Sequence, residues 1–149
     1  DIARAEKDIT TAEKKIADIE KRTSKLEKEL SDEQKKVYDI VYNAQMSALE
    51  SVCAGNSCFN IDKTARDIIT KAGFGKCFGH ATGHGVGLDI HEAPSVSGES
   101  RLKAGAVITV EPGIYLMGKY GCRIEDMVAI TEKGIHNFTK SKKELIELF

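Results

Sequence analysis

Four side chains that can bind metals or move protons stand in stretches of the second half of the chain that contain glycine or directly follow one. They are His84, His91, Glu111 and Glu125, within GHATGHGVGLDIHE (79–92), TVEPGIY (109–115) and CRIED (122–126). An imidazole nitrogen is a good ligand for a transition metal, and small neighbours let the backbone approach closely. Carboxylates beside an imidazole provide the ligands of a hydrolytic metal site. These residue types therefore indicate metal-assisted hydrolysis, provided that folding brings the three stretches together.

The separation of the two histidines does not by itself place them in one site. His84 and His91 are seven residues apart, and an odd separation in an ideal strand puts two side chains on opposite faces. Gly85 and Gly87 could supply a β-bulge that brings the rings together. Spacing alone permits a shared site and does not require one, and a single histidine is more often structural than a ligand.

The acidic residues allow two interpretations. Glu111 follows the apolar run AVITV, and a buried charge without a partner is costly, so we expect it to be paired. Arg123 lies close in sequence to Glu125 and Asp126. It either forms a structural salt bridge with one of these acids or positions a carboxylate that binds metal.

Composition sets limits on the class of protein. A chain of 149 residues with 41% hydrophobic and 30% charged residues is typical of one globular domain. The net charge of −1 gives no reason to expect nucleic acid or an acidic membrane surface as a partner. There is no apolar run of about 18 residues, and the charged residues 1–10 give no reason to expect a signal peptide in this sequence. The four cysteines form no C-x-x-C pair, which favours free thiols in the cytoplasm, with a Cys53–Cys58 disulfide as the alternative.

Residues 1–30 differ from the rest of the chain. They contain no glycine, proline or aromatic residue and carry apolar residues in a heptad-like pattern. This predicts a helix that either forms a coiled coil with another chain or packs on its own domain. Ser31 and Gln34 fit a capping box, which predicts a second helix from Ser31 to about Cys53. One continuous helix is the competing interpretation, because the heptad register continues past Ser31.

The remaining chain predicts a helix followed by strands. The helix should run from Ile61 to Ala72, with Asn60 or Asp62 as its N-cap and Gly73 at its end. The later elements are strands at 106–110, 123–131 and Ile135–Thr139, a turn at Pro112-Gly113, and a short terminal helix at Lys142–Phe149. Helices first and strands later indicate the α+β class.

From Ser31 to Phe149 the sequence resembles the C-terminal part of the pita-bread metallopeptidase family. That family includes methionine aminopeptidases, Xaa-Pro aminopeptidases and Xaa-Pro dipeptidases (prolidases). GHGVGLDIHE, VEPGIY and RIED carry the resemblance by their order and spacing. HATGHGVGLDIHEAP and EPGIYLMGKYGCRIEDM are similar to the Xaa-Pro branch. The resemblance implies a partial pita-bread (creatinase/aminopeptidase-like) fold for residues 31–149, preceded by a coiled-coil-like helix at 1–30.

The resemblance also implies a role for each site residue. His84, Glu111 and Glu125 correspond to metal ligands, with Glu125 bridging two ions and Glu111 serving also as general base or proton shuttle. His91 corresponds to a residue that contacts substrate and steadies the tetrahedral intermediate, and His80 and Arg123 to residues that line the substrate pocket. One imidazole among carboxylates suits Mn, our first choice, or Co, Zn or Fe.

The chain departs from the family upstream of these residues. The family takes two aspartate ligands from a strand pair ahead of the helix matched by residues 33–52, where this chain has its lysine-rich heptad segment. We therefore expect one ion or none instead of two. The expected function is hydrolysis of Xaa-Pro bonds in proline-containing peptides. The alternative is a non-catalytic, truncated or chimeric module whose helix mediates oligomerisation. We expect a homo-oligomer or a complementing chain as partner.

Overall fold

The structure is a computed structural model that describes the backbone of residues 2–146 and the side chains of residues 11–23 and 32–146. The chain divides between Lys36 and Val37 into two compact units. The predicted domain boundary after residue 30 stays a prediction. Within residues 2–146, no helix combines the length and the apolar character that crossing a bilayer demands.

The first helix, α1, runs without a break from Ile2 to Ser51. The predicted helix start at Ser31 is therefore wrong, and the single-helix interpretation is right. No glycine or proline precedes Gly55, so no residue with a strong backbone preference against helix interrupts the segment. A capping box is a local preference that a continuous helical pattern overrides. The coiled coil predicted for residues 1–30 stays a prediction.

The C-terminal part of α1 supplies one side of the hydrophobic core. Its apolar residues recur every three or four positions, as an amphipathic helix requires. The predicted stripe is confirmed, with Ile40 half-buried, the other helical members Val37, Val41, Ala44, Ala48 and Leu49 buried, and Val52 buried directly after the helix. This stripe belongs to the same core cluster as Ile108, Val110, Ile114, Val128 and Ile130.

The second helix, α2, runs from Cys58 to Lys71. Its N-cap is Ser57, whose side-chain oxygen accepts the backbone N–H of Asn60 at 3.1 Å. The predicted caps Asn60 and Asp62 are wrong, because the helix begins before both of them. Gly73 directly follows the helix C-cap with a φ of +92°, which a glycine adopts without strain. The predicted end is therefore confirmed.

Within residues 2–146, seven short strands follow a 3₁₀ turn at Gly75–Cys77. They are β1 (His84–Gly85), β2 (Glu92–Ser95), β3 (Val107–Val110), β4 (Gly113–Leu116), β5 (Tyr120–Arg123), β6 (Asp126–Thr131) and β7 (Gly134–Asn137). Five of them form an antiparallel sheet in the order β2-β1-β3-β6-β7, and β4 pairs with β5 in a second sheet. Helices precede strands, which confirms the predicted α+β class.

The strand predicted over 123–131 is in fact two strands in two sheets. Arg123 ends β5, Asp126 begins β6, and Ile124 and Glu125 form the link between them. Ile124 is buried, so the chain changes sheets while it remains packed on the core. A β-branched run does not reveal such a change, because both strands have the same composition.

Three smaller predictions have mixed outcomes. The strands predicted near 106–110 and 135–139 are confirmed as β3 and β7. Pro112 joins β3 to β4 and Gly113 begins β4, so the predicted turn is wrong. Residues 142–146 are not helical, and 147–149 lie outside the described residues. All four cysteines are free, as the thiol interpretation predicted, and no Cys53–Cys58 disulfide forms.

Candidate active site

An irregular strand register brings His84 and His91 together. In the β1–β2 pair, His84 lies opposite Ser95 while the next residue, Gly85, lies opposite Glu92. The imidazoles of His84 and His91 consequently stand with their ring centroids 4.4 Å apart. His84 is half-buried and His91 is exposed. The register shift between His84 and Gly85, a bulge of the kind that the glycines permit, thus overcomes the odd spacing that would otherwise separate the two rings.

The His84 ring presents one nitrogen to a carboxylate. Its Nδ1 atom lies 2.9 Å from the carbonyl oxygen of Gly85. A carbonyl oxygen only accepts, so this bond places a proton on Nδ1. In the neutral ring, Nε2 then carries a lone pair, and it lies 3.2 Å from Oε1 of Glu111. A backbone carbonyl that orients the imidazole in this way is typical of metal-binding histidines.

Glu111 is buried directly after β3 and is held by its neighbours. Its backbone N–H donates to the carbonyl oxygen of Thr82 at 2.7 Å. Its Oε1 accepts the hydroxyl of Thr109 at 3.0 Å, and the same hydroxyl accepts the backbone N–H of His84 at 3.0 Å. Thr109 therefore ties the two predicted ligands to each other. Sequence reasoning missed it, although residues two apart on a strand face the same side.

Arg123 pairs with Glu111 and not with its sequence neighbour Asp126. Its Nε lies 3.6 Å from Oε2 of Glu111, and its Nη1 donates to the hydroxyl of Tyr115 at 3.5 Å. Tyr115 is the main cause of the raised pKa of Arg123, and the charges of Glu111 and Glu125 raise that pKa further. The guanidinium thus interacts electrostatically with one buried glutamate, Glu111, and one exposed glutamate, Glu125.

His80 joins the same group of side chains through Tyr115. Its Nδ1 donates to the carbonyl oxygen of Ala81 at 2.8 Å, so its Nε2 is free to accept the Tyr115 hydroxyl at 3.1 Å. Tyr115 was not singled out from the sequence. A chain of contacts therefore runs from Arg123 through Tyr115 to His80.

Glu125 is the predicted ligand that the structure leaves apart. It lies exposed in the link between β5 and β6, close enough to Arg123 to raise its pKa. Across the side chains that the structure describes, no three His, Cys, Asp or Glu residues form a group that could hold a metal ion. The structure thus assembles His84 with Glu111, adds His91, His80 and Arg123 around them, and does not place Glu125 as a third ligand.

The His84–Glu111 contact fits a cation. A neutral imidazole lone pair facing a carboxylate oxygen at 3.2 Å is repulsive unless a positive charge stands between them. Two ligand atoms, each about 2.0–2.2 Å from one ion, are separated by roughly 3 Å. A proton would relieve the repulsion in the absence of metal. These two residues therefore fit a divalent ion as a partial ligand set.

Comparison with known proteins gives consistent results. The sequence profile of metallopeptidase family M24 matches residues 16–132, beginning upstream of Ser31. The Xaa-Pro dipeptidase of Pyrococcus horikoshii is 47% identical over 113 residues, which is 74% of this chain and 32% of that protein.

Solved structures with this fold include two enzymes that are named for Xaa-Pro substrates. A prolidase from Thermococcus sibiricus has a TM-score of 0.77 at 50% identity. The match covers 78% of this chain and 32% of the prolidase chain. An X-Pro aminopeptidase from Thermotoga maritima has a TM-score of 0.73 at 44% identity. The match covers 76% of this chain and 33% of the aminopeptidase chain. The partial pita-bread fold is thereby confirmed, and this chain spans about a third of the length of these relatives.

Proposed function

This chain belongs to metallopeptidase family M24, and we propose that it contributes one side of the metal site of an Xaa-Pro peptidase. The observation that carries the proposal is the approach of His84 Nε2 to Glu111 Oε1 at 3.2 Å. Hydrogen bonds from Nδ1 of His84 and to Oε1 of Glu111 hold the two side chains in this arrangement. Such an arrangement favours a bound cation between them.

The proposed ligands are His84, Glu111 and Glu125, with Mn²⁺ as the first choice and Co²⁺, Zn²⁺ or Fe²⁺ as alternatives. Glu125 is exposed on a short link, so its side chain is free to change rotamer when an ion is present. A bound divalent ion would lower the pKa of a water ligand and polarise the scissile carbonyl.

The other side chains have roles that their positions support. Glu111 is buried and can hold a proton that is moving between water and leaving group. His91 is exposed beside His84, where its ring can contact a substrate. Arg123 balances the charge of Glu111, and the Arg123–Tyr115–His80 chain forms a polar wall beside these groups.

The substrate class is proposed from the relatives. They are named as an Xaa-Pro dipeptidase, a prolidase and an X-Pro aminopeptidase. We therefore propose that the substrate is a peptide with proline after the scissile bond. The family resemblance calls for two aspartate ligands that we do not recognise in this sequence, so the chain alone is expected to hold one ion.

A second candidate function is that of a non-catalytic module. It is favoured by one observation, that no three potential ligands form a metal-binding group among the described side chains. In that case α1 would serve oligomerisation or pairing with a complementing chain. The two candidates differ in whether this chain binds a divalent ion through His84 and Glu111.

The deciding experiment is calorimetric titration of the metal-free protein with Mn²⁺. The peptidase proposal expects about one ion per chain, with affinity reduced more than about 100-fold in His84→Ala and Glu111→Gln, beyond the effect usual for an outer-shell partner. The exposed histidine of β7 gives a matched control, because His136→Ala removes an imidazole remote in the strand order from β1. Binding that His84→Ala and Glu111→Gln leave intact would overturn the proposal. Hydrolysis of an Xaa-Pro dipeptide, measured on the same samples, then tests catalysis.

A further inference from the structure

Helix α2 presents an ion pair to the segment that precedes β1. Asp62 and Arg66 are one helical turn apart, and Arg66 donates from Nε to Oδ2 at 2.7 Å and from Nη2 to Oδ1 at 2.9 Å. Asp62 is buried. Two parallel charge-assisted bonds between a guanidinium and a carboxylate are stronger and more directional than a single contact.

Arg66 also donates two hydrogen bonds to the backbone of residues 78–80. Nη1 donates to the carbonyl oxygen of Phe78 at 2.9 Å, and Nη2 to that of His80 at 2.8 Å. The guanidinium also lies 4.3 Å from the centre of the Phe78 ring. These bonds determine where the backbone of His80 lies, and hence where its ring meets Tyr115.

Asp62 holds the other end of the same segment. Its Oδ1 accepts the backbone N–H of Thr82 at 3.0 Å and the Thr82 hydroxyl at 2.9 Å. Thr82 is fully buried, and its carbonyl oxygen accepts the N–H of Glu111. A continuous path of hydrogen bonds therefore connects α2 to the backbone of the proposed metal ligand.

We propose that Asp62 and Arg66 are positioning residues that set the relative placement of the His80 imidazole and the Glu111 carboxylate through residues 78–82. This inference rests on the proposed function for its consequence, since it predicts that α2 controls the affinity of the metal site. A lysine cannot replace Arg66, because one ammonium group cannot reach the carboxylate and two carbonyl oxygens in the fixed geometry of a guanidinium.

The same helix offers a matched control pair. Lys63 and Asp67 have the same four-residue spacing and an ion pair at 2.5 Å, but their side chains are 55% and 48% exposed. Among the described residues, this ion pair joins two residues of α2 to each other and does not extend to another element. Breaking it with Lys63→Met tests the effect of losing a helical ion pair as such, without touching residues 78–82.

The first test needs no metal. Ring-nitrogen chemical shifts of the histidines are measured by NMR in the metal-free protein and in Arg66→Lys, Thr82→Val, Thr82→Ser and Lys63→Met. The proposal expects Arg66→Lys to change the chemical shifts of the His80 ring nitrogens. It expects Thr82→Val to change the chemical shifts of the ring nitrogens of His84, which lies beside Glu111. Thr82→Ser, which keeps the hydroxyl, and Lys63→Met should resemble the parent. Ring-nitrogen chemical shifts that are the same as in the parent in both Arg66→Lys and Thr82→Val would overturn the proposal.

The second test measures Co²⁺ affinity, with the visible absorption of the ion reporting its ligand geometry. Arg66→Lys and Thr82→Val are expected to weaken Co²⁺ binding about 10–100-fold, as outer-shell partners of metal ligands typically do. If the parent itself binds no Co²⁺, the proposed function fails and the ring shifts still decide the positioning role. If Arg66→Lys does not fold, the Thr82→Val and Thr82→Ser pair still tests the Asp62 end of the segment, and equal Co²⁺ affinities and equal His84 shifts in these two variants would overturn the proposal.

Discussion

The hydroxyl of Thr109 donates to Oε1 of Glu111 at 3.0 Å, from two residues earlier along the chain. The same hydroxyl accepts the backbone N–H of His84. One small side chain thus connects strand β1 to the carboxylate that follows strand β3. Because Thr109 is buried, no solvent can take its place without rearrangement.

Replacing Thr109 with valine should therefore affect both stability and metal binding. Thr109→Val keeps the shape but leaves the His84 N–H unpaired, which should lower the free energy of unfolding by about 1–3 kcal/mol. Glu111 also loses a bond that orients it, so Mn²⁺ affinity should fall. Urea unfolding and Mn²⁺ titration measure the two effects. Thr109→Ser, which keeps the hydroxyl, should match the parent in stability and in Mn²⁺ affinity. A Thr109→Val protein with the stability and the Mn²⁺ affinity of the parent would refute the proposed role of the Thr109 hydroxyl.

The close approach of β1 to β3 requires glycine at position 83. A Cβ atom built on Gly83 would meet the backbone carbonyl oxygen of Thr109, well inside contact distance. Gly83→Ala should therefore push the strands apart and cost about 1–3 kcal/mol, as overpacking of a core does. Thermal unfolding measures the loss.

The control for this substitution lies four residues away. Gly79 is exposed and its φ is not positive, and a Cβ atom built on it would meet no described residue within 4 Å. Gly79→Ala should be neutral or stabilise by about 0.4–1 kcal/mol, because alanine restricts the unfolded chain. Equal melting temperatures for Gly83→Ala and Gly79→Ala would contradict the packing argument.

The parts of this site that could be predicted from the sequence are those with local signals. The chemistry of His84, His91 and Glu111 is evident from residue type and from the order of the motifs, and the structure places these three side chains together. The apolar stripe from Val37 to Val52 was equally predictable, because helical periodicity is a property of neighbouring residues.

The parts that sequence reasoning missed depend on contacts between distant segments. Thr109 and Tyr115 matter through partners in other strands, and no local pattern marks them. The link at Glu125 was missed because a change of sheet leaves no trace in composition. The helix start at Ser31 was wrong because a capping signal competes with the surrounding helical sequence, and only the whole helix decides between them.

The buried carboxylate of Asp126 depends on Lys143 for its charge balance. Lys143 Nζ lies 2.5 Å from Oδ2 of Asp126. The same oxygen accepts hydrogen bonds from the side-chain amides of Gln45 and Asn137. The other acceptors in this cluster, Oδ1 of Asp126 and Oε1 of Gln45, have no hydrogen-bond partner among the described residues. Lys143→Met should thus leave a buried charge uncompensated.

Removing one partner of a buried ion pair costs about 3–5 kcal/mol. We therefore expect the free energy of unfolding of Lys143→Met, measured with urea, to be lower than that of the parent by this amount. The neighbouring lysine is a matched control. Lys142 is 79% exposed and lies 4.0 Å from Glu144, so Lys142→Met should change stability by less than about 1 kcal/mol. Comparable losses in the two variants would show that Asp126 does not rely on Lys143.

Buried thiols should make the fold sensitive to alkali. Burial raises the pKa of Cys58 above its ordinary value of 9.0, and burial also raises the pKa of Cys122 and of Tyr38. As pH rises past 9, the thiol of the unfolded chain loses its proton first, while the folded chain retains its own. The unfolded state is thereby favoured, so the free energy of unfolding should decrease with pH from about 9 upward until the folded thiol also ionises.

Two cysteine variants separate this effect from general alkaline damage. Cys58 is fully buried and Cys53 is exposed. Urea midpoints measured under reducing conditions from about pH 7.5 to about pH 10.5, a range that brackets the ordinary thiol pKa, should fall less steeply in Cys58→Ala than in the parent. We assign the pH dependence that remains in Cys58→Ala to Cys122 and Tyr38, whose pKa values are also raised. Cys53→Ala should show the same pH dependence of the urea midpoint as the parent. If Cys58→Ala also keeps it, burial of that thiol is not what couples folding to pH.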